Sequence, residues 1–240
     1  MKAKLAGIAV ALVTIVFSVG MAAAQGQYLS GTTGVDISWP NCTASIPRNS
    51  FGIVGVSNGV GFSTSPCLAT EASHFVNNLS VYVNTGYPGA TSDNAQKYAA
   101  SPRLCDSADL NCIAYDYGYN AGLYAYNAAN TAGVHAATWW LDVETMNSWT
   151  SDTLQNQNSL QGETDAFKAN GISTVGVYST TAQWGTITAG WKNGLPSWGA
   201  TTWTTAKQAA TYCTGHQFTG GPSYLMQYKA SHGLDQDYAC

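Results

Sequence analysis

Leu141-Asp142-Val143-Glu144 sets two carboxylates two residues apart in an apolar run that opens with Trp139-Trp140. Side chains of a β-strand alternate between faces, so Asp142 and Glu144 point the same way, about 6.6 Å apart along the strand. Leu141 and Val143 then point into the opposite, apolar layer. A charged pair on the inner face of a buried strand is costly unless chemistry or hydrogen bonding keeps it there. A solvated strand end, or an Asp that caps the following helix, is the plain alternative. Two carboxyls facing one pocket are what cleavage of a glycosidic bond requires. One, held protonated by a neighbouring charge or an apolar setting, gives its proton to the leaving oxygen. The other stabilises the positive charge that grows at the anomeric carbon, or directs the nucleophile. Glu144 is the expected proton donor and Asp142 its partner, because like-charge repulsion raises one pKa of such a pair.

The chain has three Glu, and Glu144 alone sits in an apolar strand. Glu71 and Glu163 fall in amphipathic helical stretches and are expected on solvated faces. Asp36 also interrupts an apolar strand, and Asp235 ends the chain beside a Gly turn; both are expected to shape the wall opposite Asp142 and Glu144. Asp237 shares the spacing of Asp235 and is the alternative to it. His74, His135, His216 and His232 show no metal-ligand spacing. His135 reads as a loop or helix-end residue, and His232 as a candidate substrate contact near the closing turn. No metal or organic cofactor is implied.

Met1 to Lys4 carry two lysines, Leu5 to Val19 are apolar, and Met21-Ala22-Ala23-Ala24 supplies small residues. That is the pattern of a secretory signal peptide over residues 1–24, followed by a flexible lead-in over 25–33 and one domain over 34–240. An extracellular protein with no membrane association after cleavage is expected. Loss of Lys2 and Lys4 takes the formal net charge from −4 to −6. An acidic chain with so few cations argues against nucleic acid or an anionic membrane as partner. Charged residues are only 9% and aromatics 12% of the chain, a composition that suits sugar recognition without proving it. Six cysteines in an exported chain read as three disulfides. The favoured pairing is sequential: Cys42–Cys67, Cys105–Cys112 and Cys213–Cys240.

The elements that must position these acids alternate. Strands are expected at 34–39, 51–56, 79–84, 139–145, 174–179 and 224–228, with a further strand and loop within 196–203. Helices are expected at 68–77, 111–132, 151–170, 181–189 and 204–211, with 90–110 mostly loop. Alternation points to a parallel α/β sheet. Carboxylates near the ends of the first, fourth and last strands suit a closed β/α barrel of the TIM type, whose strand ends share one mouth. Disulfides are expected to staple it, and a monomer is expected.

The order of four motifs resembles the family 25 glycoside hydrolases, secreted lysozymes (N-acetylmuramidases) with a β/α barrel. Gly34-Val35-Asp36-Ile37-Ser38 resembles that family's opening strand, Leu141-Asp142-Val143-Glu144 its Asp-x-Glu strand, and Val177-Tyr178-Ser179 the Tyr-Ser/Thr strand that follows. Met226-Gln227-Tyr228 with Leu234-Asp235-Gln236-Asp237 resembles its ending. The resemblance implies a retaining-type muramidase acting on the peptidoglycan polysaccharide, with Glu144 as general acid, Asp142 assisting or orienting the N-acetyl group, and Asp36 and Asp235 completing the acidic set. Trp39, Tyr82, Tyr178 and Gln227 are the expected substrate-binding residues, and Tyr87 and Trp149 are further candidates for stacking on sugar. The sequence departs from the family where Trp39-Pro40-Asn41-Cys42 follows the first strand and where the third strand reads Tyr82-Val83-Asn84. A catalytically silent glycan-binding barrel is the alternative; the complete acidic set favours an enzyme.

Overall fold

A computed structural model describes residues 28–75, 77–230 and 233–240; the expected signal peptide and His232 lie outside them. Eight strands form a closed barrel in chain order: β1 (Thr33–Ile37), β2 (Phe51–Gly55), β3 (Leu79–Asn84), β4 (Thr138–Asp142), β5 (Thr174–Ser179), β6 (Ser197–Ala200), β7 (Ser223–Lys229) and β8 (Asp235–Ala239). Between them lie α1 (Leu68–Ala72), α2 (Asp93–Tyr98), α3 (Leu110–Thr131), α4 (Thr153–Ala169), α5 (Thr181–Thr188) and α6 (Ala206–Ala210). The helix α2 falls in the stretch expected to be loop.

Neighbouring strands from β1 to β7 are parallel, as the alternation implied. The closing strand is not: β8 runs antiparallel to both β7 and β1. The reason is chain length. A parallel return needs a crossover of a dozen or more residues, and only Ala230 to Leu234 separate β7 from β8. The short link reverses the chain instead, and the start of β8 lies at the same end of the barrel as the C-terminal ends of the other strands.

Strand alternation divides the core into two shells. Inside the barrel pack Phe51, Ile53, Trp140, Trp198 and Leu225. Tyr28, within the stretch read as a flexible lead-in, is buried with them; its hydroxyl donates to Ser80 Oγ at 2.6 Å and accepts from Trp140 Nε1 at 2.9 Å. Outside the barrel, Val35, Val54, Val81, Leu141, Val143 and Val177 face Leu160, Phe167, Trp184 and Ile187 of the helices. The three disulfides join Cys42 to Cys67, Cys105 to Cys112 and Cys213 to Cys240.

The helices α3 and α4 meet backbone to backbone. A Cβ on Gly118 would overlap the Ser159 carbonyl oxygen, and one on Gly162 would overlap that of Tyr115. Asp152 caps α4, its Oδ1 accepting from the backbone of Leu154 and Gln155. This tight seam buries Glu163 at 2% exposure, and Glu71 of α1 is equally buried. Both contradict the expected solvated faces. Gly122 leaves room for the Glu163 side chain, since a Cβ there would stand 3.1 Å from its Cγ.

Gly162→Ala should lower the unfolding free energy by about 1–3 kcal/mol through overpacking. Gly185→Ala in α5, where a Cβ would meet nothing within 4 Å, should raise it by about 0.5–1 kcal/mol through helix propensity. Denaturant unfolding of the two variants checks this, and a tolerated Gly162→Ala would contradict the seam.

Candidate active site

The mouth is built by one end of every strand but β2. Asp36 comes from β1, Tyr82 from β3, Asp142 from the last position of β4, Tyr178 from β5, Trp198 from β6, Gln227 from β7 and Asp235 from the start of β8. With Glu144, two residues past β4, these side chains line one pocket of about 150 Å³. The structure therefore brings together seven of the eight residues singled out in the sequence. Trp39 is not among them; it stands half-exposed in the 3-10 turn after β1, over Gly59. Tyr87 is fully buried, and Trp149 donates its Nε1 to the Glu144 carbonyl oxygen at 2.8 Å, so it pins the loop. His135 lies beyond α3, in a groove lined by residues that precede β4 and β5, at the opposite end of the barrel.

Asp142 is nearly fully buried. Its Oδ2 accepts from Asn84 Nδ2 at 2.6 Å, while Oδ1 has no hydrogen-bond partner among the described residues. Its carbonyl oxygen accepts from Thr85 Oγ1 at 2.6 Å and Asn147 Nδ2 at 3.1 Å. Glu144 is only partly buried and reaches the pocket from a loop held at three points. Besides the Trp149 bond, Ser179 Oγ donates to the Val143 carbonyl oxygen at 2.7 Å, and the Thr145 amide donates to Gln183 Oε1 at 2.6 Å.

On the facing wall, Tyr178 Oη donates to Gln227 Oε1 at 2.9 Å, and Gln227 Nε2 donates to Asp36 Oδ2 at 3.0 Å. Behind them Trp198 Nε1 donates to Asp237 Oδ1 at 2.7 Å. This separates the two late carboxylates. Asp235 lines the pocket; Asp237, without exposure, lies beneath it. Trp198 and Asn84 were missed in the sequence. Both occupy inward positions of strands, and only the register, which sets Asn84 beside Asp142 and Trp198 beside Tyr178, gives them partners.

Gathering acids in a closed space raises their pKa values. Burial, then Asp235, pushes Asp36 up to about 7, with Gln227 opposing. Burial, then repulsion from Glu144 and Asp36, holds Asp142 well above the carboxylate range, against the Asn84 bond. Glu144 is raised by burial and by Asp235, with Gln183 opposing. Burial and Asp36 hold Asp237 well above its usual value. Asp142 and Glu144 share one enclosure, so their protons leave as those of a pair, and the last is held beyond the ordinary carboxylate range.

Sulfur and carboxyl atoms lie close enough to hold an ion at Cys42, Cys67 and Glu71, and at Cys105, Cys112 and Asp116. In both groups the two sulfurs are bonded to each other, which removes their capacity as ligands.

A model of the family described as lysozyme-like protein 1 matches residues 110–218. That segment is under half of the chain, and it holds Asp142, Glu144 and Tyr178. No curated protein matches the chain. Among solved structures, a glycosyl hydrolase 25 of Streptococcus pneumoniae is similar with a TM-score of 0.54 at 15% identity, over 87% of each chain. A muramidase from Trichobolus zukalii gives 0.54 at 17% identity, over 87% of this chain and 93% of its own. The autolysin LytC of S. pneumoniae, solved with a synthetic peptidoglycan ligand, gives 0.54 at 16% identity, over 86% of this chain and 46% of its own. The chain resembles the family 25 glycoside hydrolases. At these identities the structural likeness speaks for a shared barrel.

The buried acids also fix how stability follows pH. Asp36 and Glu71 both stand at about 7, and Asp142, Glu163 and Asp237 stand well above their ordinary values. A carboxyl whose pKa is raised on folding binds more protons in the folded than in the unfolded state. Its stabilisation is complete below the unfolded pKa, near 4, and is lost as pH rises through the folded value. The melting temperature should therefore be higher at pH 5 than at pH 8, and Glu71→Met should narrow that gap. A melting temperature that climbs from pH 5 to pH 8 would contradict the assigned protonation.

Proposed function

We propose that this protein is a glycoside hydrolase that cleaves the glycan strand of bacterial cell-wall peptidoglycan outside the cell, at the bond following N-acetylmuramic acid. The observation that carries the reading is the division of labour between two neighbouring carboxyls: Glu144 at the rim, open to a ligand, and Asp142 buried behind it. Glu144 is placed to give its proton to the glycosidic oxygen. Asp142, fixed from behind, faces the charge that develops at the anomeric carbon or the N-acetyl group beside it. Asp36 and Asp235 face it from the opposite wall, and the field of either one, when ionised, stabilises an oxocarbenium-like centre more than the neutral substrate, the differential on which catalysis rests. The faces and edges of Tyr82, Tyr178 and Trp198 supply apolar surface for a sugar ring.

The family match to lysozyme-like proteins and the barrel shared with a glycosyl hydrolase 25 and a muramidase support this reaction class. The LytC complex with a peptidoglycan ligand supports the substrate. Three disulfides favour an oxidising, extracellular setting. Among the described residues no helix is long and apolar enough to cross a membrane.

Purified peptidoglycan should gain new reducing ends with the wild type, and Glu144→Gln should lower the rate by about 10²–10⁴-fold, as expected for loss of a general acid. The rate should fall as pH rises beyond neutrality, because the shared proton of the Asp142 and Glu144 pair is then lost. Equal rates for wild type and Glu144→Gln would remove Glu144 from the chemistry. A wild type that binds glycan without releasing reducing ends would sink the hydrolase reading.

A further inference from the structure

Resting on that reading, the geometry of β2, β3 and β4 points to a further residue in the reaction: we propose that Asn84, oriented by Ser57, is a positioning residue that holds the Asp142 carboxyl by Oδ2 and leaves Oδ1 to act on the substrate.

The contact is short and enclosed. Asn84 ends β3 and is the direct register partner of Asp142 at the end of β4. Its Nδ2 donates to Asp142 Oδ2 at 2.6 Å, a short contact for an N–H donor. The amide is itself oriented. Ser57, buried and just beyond β2, accepts the Asn84 backbone N–H on Oγ at 2.8 Å and donates its one hydroxyl proton to Asn84 Oδ1 at 3.1 Å. With Oδ1 committed to Ser57, Nδ2 must face Asp142. The chain Ser57, Asn84, Asp142 thus runs across three adjacent strands in one hydrogen-bonding direction.

The consequence for Asp142 is chemical. The hydroxyl oxygen of a carboxylic acid accepts hydrogen bonds poorly and the carbonyl oxygen accepts them well. A donor at Oδ2 therefore makes Oδ2 the carbonyl oxygen whenever Asp142 is neutral, and the proton sits on Oδ1. Oδ1 has no hydrogen-bond partner among the described residues. When Asp142 is ionised the same bond favours the charge, so loss of Asn84 must raise its proton affinity further. Of the titratable groups, Glu144 past β4 and Asp36 from β1 raise the proton affinity of this carboxyl, and Asp142 in turn acts on Tyr82 of β3, Tyr178 of β5 and Glu163 of α4. All of these are acidic groups, whereas the Asn84 amide favours the ionised form.

The test uses the full-length exported protein with Asn84→Ala, the near-isosteric Asn84→Asp, and Ser57→Ala, which frees the amide to rotate. Two quantities are read: reducing-end release from peptidoglycan across pH, and the ¹³C titration of the Asp142 carboxyl. Both Asn84 variants should lose about 10–100-fold in kcat with KM within about threefold, the scale of one hydrogen bond to a charged group. Their pH profile and the Asp142 midpoint should both move to higher pH, and Ser57→Ala should move both in the same direction by less. An unmoved midpoint in a folded variant overturns the proposal whatever the rate does. A moved midpoint with unchanged kcat overturns it as well, since the contact would then have no bearing on turnover. If Asn84→Ala fails to fold, Asn84→Asp and Ser57→Ala give the same two readings. A wild type that releases no reducing ends counts against the hydrolase function itself, and the titration still decides whether Asn84 holds Asp142.

Discussion

Five carboxyl groups converge at one end of this barrel, and their mutual repulsion in a closed space is the constraint that the rest of the structure must meet. Asp36, Asp142, Glu144, Asp235 and Asp237 come from β1, from β4 and the loop that follows it, and from β8. Water would screen such charges if it surrounded them; burial removes that screening and raises the proton affinity of each. Neutral donors then do what counter-ions would do elsewhere. Asn84 holds Asp142, Gln227 holds Asp36, and Trp198 holds Asp237. A lysine or arginine in any of those positions would pull the carboxyl towards ionisation. An amide or indole satisfies one oxygen and leaves the acid able to keep a proton.

The scaffold behind the mouth follows from this need for rigidity. Glu144 sits on a loop rather than on a strand, yet its backbone is fixed by Trp149, Ser179 and Gln183. The backbone-to-backbone seam of α3 and α4 backs β4, with Leu160 and Phe167 of α4 packed in one cluster with Trp139, Leu141 and Val143. Glycines at that seam allow two long helices to lie close enough to bury Glu163, whose proton affinity burial and the Asp142 charge raise. A reactive loop held at its own backbone and a strand braced by a close-packed helix pair together restrict how far the two carboxyls can separate. Near-attack geometry tolerates little freedom.

Much of this was legible in the sequence because it depends on local pattern. Asp142 and Glu144 share a face through strand alternation, and the β5 strand Thr174–Ser179 and the three disulfides were readable from apolar runs and cysteine order. What escaped depends on packing between elements. Glu71 and Glu163 have amphipathic surroundings, and nothing local says which helix face another helix will cover. Asn84 is an ordinary polar residue at a strand end until the β3–β4 register sets it beside Asp142. Tyr87 has an aromatic's capacity to stack on sugar, but its burial is settled by Tyr117 of α3, at 5.4 Å between ring centroids. The antiparallel β8 was within reach of sequence reasoning, since five residues cannot span a crossover.

That reversed strand does more than close the sheet. In a parallel β8 the order of depths would be inverted, because the strand would end, rather than begin, at the mouth. Running antiparallel, β8 presents its first residue, Asp235, to the pocket, and two residues later, on the same face, Asp237 beneath it. Register sets Asp237 against Gly34 and Gln227. With no side chain at Gly34 and with Gln227 turned towards Asp36, Asp237 is left to interact with Asp36 itself, where burial and the neighbouring charge keep it protonated. Trp198 Nε1 satisfies one oxygen of Asp237, and a wall built of carboxylates stays intact with no lysine or arginine among the described residues of the pocket lining.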